Sequence, residues 1–309
     1  MLDAAGSLLA IAILVVAGVL LARRGLLGDR TTEALKLLIT RLTLPLLLFR
    51  AFLSVVPDGR TALLALVVFA GCAAMGVVGA TLTRIARLPR PETRLLFQGF
   101  EAGMFGYALF VALHTTEPLP AFAALDLGQV VFVFTALMVQ MSVLGRADGA
   151  GPAGFPWRDV VASPVLWAIF SGLALAIVAP DVALDIARTD GPAAPVFDTV
   201  GGLTTPLVCL VIGASLAGGI PRDRAIVTLV ALRAVVGLAL GLVVAFALVP
   251  ALGFSEWYSR AAVVLFVLPP PFVIPVYYRR NPALVGGALT LSTLVSVALI
   301  AALTVLGVA

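Results

Sequence analysis

One carboxylate, Glu101, lies near the middle of an apolar stretch, residues 95–113, that is long enough to cross a bilayer. An ionisable side chain at that depth is costly to bury, so Glu101 is a candidate for a substrate or ion pathway. Its neighbours weaken a helix or add a polar group, and they are Gln98, Gly99, Gly103 and Gly106. Glycines at this density predict a broken helix of the kind that forms the central site of secondary transporters.

A second interrupted segment is predicted nearer the C-terminus, where four prolines fall within residues 269–275. Each proline removes a backbone donor and clashes with the preceding turn, so a regular helix cannot continue through this stretch. Carbonyl groups freed in this way are tolerated at membrane depth only where protein or water satisfies them. The structural alternative is a kink that only shapes packing. The four prolines are Pro269, Pro270, Pro271 and Pro275.

Three roles are open for Glu101. A continuous helix would place Gln98, Glu101 and Phe105 on one face, which predicts that the amide and the carboxylate point inward together. In that position Glu101 could carry a proton between the two sides of the membrane, or it could ligate a cation. The third role is structural, a hydrogen bond to a neighbouring helix. H⁺ and Na⁺ both remain open as the coupling ion, and no other cofactor or metal is expected.

Two further apolar segments combine a proline with a candidate polar residue. Pro45 is expected to break the first of them, and Arg50 beyond it could either attract an anion or extend to the outer interface. Pro206 breaks the second, where Ser215 and the glycines around it predict either close helix packing or a polar cavity lining.

The composition predicts an integral membrane protein of ten helices. The 309 residues are 61% hydrophobic and only 12% charged, against about 25% charged in a soluble domain. The mean hydropathy is +1.14, which leaves little of the chain for a soluble domain. Segments that reach the length of a span, about 17–25 residues, are 5–22, 32–54, 61–83, 93–113, 121–144, 158–179, 195–218, 225–249, 258–278 and 283–307.

The basic residues predict an orientation in the cell membrane. Loops after the odd-numbered spans hold thirteen arginines, whereas the other loops hold three, so both termini are expected outside. The net charge of +4 therefore reflects topology, and no nucleic acid is expected as a partner. Arg41 and Arg233 lie within spans 2 and 8, nearer their cytoplasmic ends, and are expected to anchor these spans at the interface rather than to bind a ligand.

The order of the spans predicts two inverted repeats. Five spans precede a central cytoplasmic loop, residues 146–157, and five follow it, so the repeats cover residues 1–145 and 158–309 and begin on opposite sides of the membrane. Pro45 and Pro206 stand 161 positions apart, each in the second span of its repeat, which agrees with this arrangement. No nucleophile–base pair or metal cluster is visible at depth and His114 is the only histidine, so the chain is not expected to be an enzyme.

The chain resembles the auxin efflux carrier family of membrane transporters over essentially its whole length. Residues 17–49, AGVLLARRGLLGDRTTEALKLLITRLTLPLLLF, resemble one signature of that family, and residues 204–219, TTPLVCLVIGASLAGG, resemble another. The family's fourth-span element, Asn-x-Gly-x-x-Gly-x-Pro-Leu, corresponds to residues 101–109, EAGMFGYAL. Glu101 replaces the family's asparagine in this element, and Ala108 replaces its proline.

The resemblance implies a fold and a class of substrate. The fold would have ten spans in two inverted repeats, with spans 4 and 9 broken and crossing. Scaffold spans 1, 2, 6 and 7 would face transport spans 3–5 and 8–10 within one functional unit. Family substrates are small organic anions such as carboxylates and, in plants, auxin. A carboxylate at position 101 favours proton or cation coupling, with the anion recognised by half-helix N-termini and backbone amides.

The expected function is therefore secondary active transport of a small organic anion by alternating access, with Glu101 linking the solute to the proton gradient. A cation/proton antiporter on the same architecture is one alternative, and a membrane sensor that binds a ligand without moving it is another. The expected partners are the organic anion and the lipid bilayer, and a homodimer is left open. No Walker A sequence is present, which argues against ATP-driven transport by this chain alone.

Overall fold

The computed structural model describes residues 2–55, 58–89, 91–114, 118–147, 158, 161–219, 221–278 and 280–308. Helix makes up 82% of the structure, and no strand occurs among these residues. The all-helical fold class predicted from the composition is thus confirmed. Of the predicted central loop, residues 146–157, the part from residue 148 to residue 157 lies outside the described residues.

The α-helices whose bounds the structure gives are named here in chain order. They are α1 (Leu2–Arg23), α2 (Asp29–Leu38), α3 (Leu44–Leu53), α4 (Gly59–Ile85), α5 (Glu92–Phe97), α6 (Tyr107–His114), α7 (Leu119–Phe132), α8 (Met138–Ala147), α9 (Pro164–Val178), α10 (Pro180–Ala187), α11 (Ala194–Val200), α12 (Thr204–Leu216), α13 (Arg224–Val243), α14 (Val249–Ala251), α15 (Glu256–Val267), α16 (Ile274–Tyr277) and α17 (Pro282–Val305). Wider π-helical turns occupy Ile39–Thr43, Ala102–Gly106, Val133–Leu137 and Val244–Leu248, and a 3₁₀ turn occupies Gly201–Leu203.

Within the described part of the chain, six helical stretches are long and apolar enough to cross a membrane, so the chain is a membrane protein. They are Gly59–Ile85, Glu92–His114, Leu119–Leu144, Ala194–Leu216, Arg224–Ala251 and Pro282–Val305. Two shorter apolar helices are Leu9–Arg23 and Pro164–Val178. The arrangement of ten spans in inverted repeats stays a prediction.

Pro45 does not break its segment, contrary to the prediction. The helical path runs without interruption from Asp29 to Leu53, and it widens into the π-helical turn Ile39–Thr43 just before the proline. Pro45 then occupies the first turn of α3. The missing N–H of a proline matters least where a new helical register begins, which explains why the helix continues. Pro206 does not break its segment either. It lies near the start of α12, after the 3₁₀ turn Gly201–Leu203, and the helical path continues from Ala194 to Leu216.

The chain forms two compact units. Unit 1 comprises residues 1–62, 103–124 and 158–219, and unit 2 comprises residues 63–102, 125–157 and 220–309. Each unit takes residues from both halves of the chain, and each begins or ends inside helical stretches.

Unit 1 is built on close helix contacts through glycine. Where α1 contacts α12, a Cβ atom at Gly213 would clash with the Val15 carbonyl oxygen. A Cβ atom at Gly18 would lie 2.5 Å from the Leu210 carbonyl oxygen. Small residues let helix backbones approach to this distance in membranes. Of the two readings of the segment around Ser215, close packing is therefore the one observed at Gly213.

Unit 2 uses glycines in the same way to seat its interrupted segments. On α4, a Cβ atom at Gly79 would lie 2.5 Å from the Phe97 ring and one at Gly76 would lie 2.6 Å from the Gln98 side chain. On α13, a Cβ atom at Gly237 would clash with the Phe266 carbonyl oxygen. These contacts bring the ends of α5 and α15 against α4 and α13.

Candidate functional site at the interrupted segments of unit 2

The first interruption lies between α5 and the π-helical turn Ala102–Gly106. Gln98 is extended, with φ −93° and ψ 141°, and Gly99 has φ +68°, a conformation that only glycine adopts readily. A Cβ atom at Gly99 would also lie 2.9 Å from Pro271. Both the backbone conformation and the close contact with Pro271 therefore favour glycine at this position. Because residues 98–101 are not helical, the prediction that Gln98 and Glu101 share a helix face is wrong.

The second interruption lies between α15 and α16. Leu268 is extended, with φ −64° and ψ 155°, and no helix forms again before Ile274. The run Pro269 to Pro271 is buried, which agrees with the break predicted from these prolines. Pro275 is exposed and stands in the first turn of the short helix α16, where a proline is well tolerated.

The two interruptions are joined through Glu101. Its backbone N–H donates to the Pro269 carbonyl oxygen at 2.9 Å, and its carboxylate oxygen Oε2 accepts from the Phe272 backbone N–H at 2.6 Å. The Glu101 residue is only half-buried. The acidic side chain is thus fixed where the two broken segments meet, and part of its surface stays accessible.

Arg233 binds the same two segments from α13. Its guanidinium donates to the carbonyl oxygens of Leu96, Phe97, Gly99 and Leu268 at 2.9, 2.5, 2.7 and 3.2 Å. The residue is 4% exposed, and its guanidinium carbon lies 5.4 Å from the centre of the Phe100 ring. The prediction that Arg233 anchors α13 at the interface is therefore wrong.

The physical reason for an arginine at this place is the number of freed acceptors. The last carbonyls of a helix have no partner within it and carry the negative end of the helix dipole. In lipid, water does not satisfy them. A guanidinium offers five donors in a planar fork and keeps its charge when buried, so one side chain can serve carbonyls from both α5 and α15.

Gln98 has a structural role in the described contacts. Its side-chain amide and that of Gln140 donate to each other at 3.1 and 2.8 Å, and Gln98 also donates to the Arg94 carbonyl oxygen at 3.0 Å. Gln98 is 2% exposed. These bonds hold the start of the first interruption against α8.

Sequence reasoning overlooked Asp126 and Gln129 on α7. Both are buried, and the Gln129 amide nitrogen donates to the Phe100 carbonyl oxygen at 2.8 Å and to the Asp126 carboxylate at 3.2 Å. An acidic residue within an apolar span is the signal that would have found Asp126. Together with Glu101 and the buried Glu92 at the start of α5, it gives the described membrane-length helices of unit 2 three carboxylates, beside the buried Arg233.

Three other candidate site residues belong to unit 1 and lie in ordinary helical contexts. Gly103 and Gly106 are in the π-helical turn Ala102–Gly106. The Ser215 hydroxyl donates to the Val211 carbonyl oxygen of its own helix at 3.0 Å. Nearby, the Thr205 hydroxyl ties α12 to α6 by donating to the Ala108 carbonyl oxygen at 3.0 Å.

Arg50, also in unit 1, lies beside a cavity of about 230 Å³. The residue is 5% exposed, and its guanidinium donates to Asp198 at 2.6 Å and to the Ala187 carbonyl oxygen at 3.1 Å. Its Nη2 has no hydrogen-bond partner in the described part of the chain. The cavity is lined by Arg50, Ala51, Ser54, Leu119, Pro120, Leu184, Ala187, Arg188 and Thr189.

The second arginine of this cavity is neutralised by its neighbour. Arg188 forms two hydrogen bonds to Asp190, at 2.9 and 2.8 Å, in an exposed loop. The Arg188 guanidinium holds the pKa of Asp190 below its usual value by hydrogen bonding, so this pair is ionised and self-compensated at neutral pH. Both arginines of this cavity are therefore paired with a carboxylate, Arg50 with Asp198 and Arg188 with Asp190.

Comparison with known proteins adds no family to this description. No model of a known protein family matches the chain, and no curated protein is similar to it in sequence.

Proposed function

We propose that the protein is a secondary active transporter that moves a small organic anion across the cell membrane by alternating access, with proton coupling through Glu101. The proposal includes ten spans in two inverted repeats, both termini outside, and membership of the auxin efflux carrier family. Support for these parts comes from the sequence signatures and from the loop arginines.

The observation that carries the proposal is the position of the Glu101 carboxylate. It is half-buried at the point where two non-helical segments meet, one of them within the membrane-length stretch Glu92–His114, and a backbone N–H fixes it there at 2.6 Å. Irregular backbone at membrane depth is typical of sites that line a cavity. A carboxylate in such a place can take up a proton on one side and release it on the other.

The roles of the other residues follow from their contacts. Arg233 and the amide pair of Gln98 and Gln140 keep the broken segments in shape. The first interruption would supply the backbone N–H groups that recognise the substrate, because Gly99 and Phe100 are outside helical hydrogen bonding. The second interruption has fewer such groups to offer, since its three consecutive prolines have no N–H and the Phe272 N–H is already used by Glu101. Small carboxylates fit this description as ligands that backbone N–H groups can bind.

The test is the Glu101→Gln variant, reconstituted in liposomes beside the wild type. The glutamine oxygen can still accept from the Phe272 N–H, so folding should be kept, but the side chain no longer titrates. A panel of small mono- and dicarboxylates is first ranked by thermal stabilisation, since a ligand at a hundred times its Kd adds about 2.7 kcal/mol. We expect uptake of the best ligand to depend on pH in the wild type and to lose that dependence in the variant.

Glu256→Gln is the matched control, because Glu256 is exposed and pairs only with Arg260 on its own helix among the described residues. It should transport as the wild type does. Flux through Glu101→Gln that still follows pH would remove Glu101 from the mechanism. Currents driven by Na⁺ steps without any organic acid would favour the cation/proton antiporter instead.

A further inference from the structure

Four backbone carbonyl oxygens in unit 2 converge on one cation. They belong to Leu96, Phe97, Gly99 and Leu268, and they lie 2.5–3.2 Å from the two terminal nitrogens of Arg233. Two interrupted segments, distant in sequence, contribute to this set. Carbonyls freed by broken helices are also the groups that bind alkali cations in transporters of several folds. We call these four oxygens the carbonyl cage.

Two serine hydroxyls stand beside the carbonyl cage. Ser292 and Ser296 of α17 line a small cavity together with Arg233 and Leu268. The volume open to water there is about 10 Å³, close to that of a single water molecule. The Ser296 hydroxyl donates to the Val267 carbonyl oxygen at 2.6 Å, whereas the buried Ser292 hydroxyl has no partner among the described residues. Two side-chain oxygens thus line the small cavity that Arg233 borders.

The contacts of Arg233 distinguish a cation site from an ion pair. Every hydrogen bond that its guanidinium makes to a described residue goes to a backbone carbonyl, and none goes to a carboxylate. Arg50, by comparison, is paired with Asp198. The oxygens of the carbonyl cage carry no formal charge, so they do not neutralise the charge of the cation that they bind. Their spacing therefore selects a cation by its size and geometry.

We propose that Arg233 is a tethered cation, which permanently fills a carbonyl site that would otherwise take a free monovalent cation. Unit 2 then carries a fixed positive charge at its interrupted segments and needs no Na⁺ to complete them. The occupancy of the cage is independent of any transport activity. Only the consequence that transport is independent of Na⁺ rests on the proposed function.

The proposal predicts that removal of the side chain converts the cage into a site for free cations. Arg233→Ala leaves the four carbonyls without a donor and opens a space beside the two serines. Guanidinium should fill that space best, because it restores the same planar hydrogen bonds. Na⁺ should bind more weakly, since the oxygens must move inward to reach a small ion.

The experiment measures the Tm of purified protein in N-methyl-D-glucamine, Na⁺, K⁺ and guanidinium chlorides, at equal and non-denaturing ionic strength. The wild type should give the same Tm in the first three salts. Arg233→Ala should show a saturable rise in Tm with millimolar guanidinium and a smaller rise with Na⁺. Arg260→Ala is the control, because Arg260 pairs with Glu256 on its own helix and should respond to no salt in this way.

Two results would overturn the proposal. One is a Na⁺-specific rise in Tm that the wild type and Glu101→Gln share, because a free cation would then bind with Arg233 in place and without the Glu101 carboxylate. The other is a folded Arg233→Ala variant with the same Tm in every salt. If that variant cannot be purified in sodium buffer, purification with millimolar guanidinium decides: a tethered cation requires guanidinium to restore folded protein, and the absence of any rescue would contradict the proposal. A Tm measurement does not depend on transport activity, so these outcomes can be interpreted even if the proposed transport function is wrong.

Discussion

Two arginines are buried within helices of this protein, one in each compact unit, and their surroundings are opposite in kind. Arg233 of unit 2 contacts four backbone carbonyls that two interrupted segments leave free. Arg50 of unit 1 is paired with a carboxylate, Asp198, whose side chain is 57% exposed, and it borders a cavity of about 230 Å³. The first arginine holds the backbone together, and the second contacts a side chain that is more than half exposed.

The difference shows what decides the role of a buried charge. A guanidinium among carbonyls replaces the water that those carbonyls lack, so its loss exposes several unsatisfied groups at once. A guanidinium that pairs with a half-exposed carboxylate leaves behind a group that water can solvate again. The four predictions below compare the two surroundings.

The largest effect is expected for the two arginines themselves. Arg233→Ala should lower the free energy of unfolding by about 3–5 kcal/mol, because it leaves buried polar groups without a partner. Arg50→Ala should lower it by about 1–2 kcal/mol, since Asp198 remains hydrated. Thermal unfolding of both variants in one detergent, without added guanidinium, measures the difference. Equal losses would mean that the two surroundings are energetically alike.

A second comparison uses the glycines that seat these arginines. Gly237 lies one turn beyond Arg233 on α13, and Gly172 of α9 packs on α3, the helix of Arg50, where a Cβ atom would lie 2.9 Å from the Phe49 carbonyl oxygen. Each alanine variant should cost about 1–3 kcal/mol by overpacking. Only Gly237→Ala should also change the response to guanidinium described above, because it shifts α13 from α15.

Gly286→Ala is the control for these glycine variants. Gly286 lies within α17, and a Cβ atom there would meet nothing within 4 Å. The substitution should raise stability by about 0.5–1 kcal/mol, because alanine is the better helix former. A loss of stability at Gly286 as large as that at Gly237 would show that these helices tolerate no added methyl group anywhere.

The two serines beside Arg233 give a smaller effect. Ser296→Ala removes the hydrogen bond to the Val267 carbonyl oxygen and should cost about 0.5–1.5 kcal/mol. Ser292→Ala removes a buried hydroxyl that lacks a partner among the described residues, so the Tm should stay unchanged or rise. A marked loss in Ser292→Ala would indicate that this hydroxyl already binds a ligand or a water molecule with Arg233 in place.

The smallest effect is expected for Asp198→Asn. Asp198 is more than half exposed, so its ion pair with Arg50 should contribute about 0–1 kcal/mol, and added salt should reduce the difference from the wild type. The measurement is the Tm difference at low and high NaCl. A large difference that salt does not alter would place Asp198 in a less hydrated environment than its exposure indicates.

Several features of unit 2 could be predicted from local sequence. The run of prolines from Pro269 excludes a regular helix whatever surrounds it, because a proline lacks the N–H that the helix needs. The glycines around Glu101 indicated the first interruption for a similar reason. Pro45 was predicted wrongly, since a proline at the start of a helical turn breaks nothing, and only the π-helical turn before it reveals that register.

The partners of the polar side chains could not be predicted in the same way. Gln98 was expected to lie on a helix face with Glu101, but the interruption itself turned it toward Gln140, forty-two positions away. The charge of Asp126 within an apolar span was a signal in the sequence, but nothing local shows which groups Asp126 and Gln129 contact. Their importance comes from the Phe100 carbonyl that the interruption leaves free.

The sequence by itself determined that this chain is a helical membrane protein with two interrupted segments, since hydropathy and the loss of backbone donors are local properties. Only the tertiary structure decided what satisfies those interruptions. Arg233 lies more than 130 positions from the α5 carbonyls that it binds, and an arginine within a span fits an interfacial anchor equally well. Long-range packing, through the glycines of α4 and α13, selects between these roles by fixing which carbonyls the guanidinium can reach.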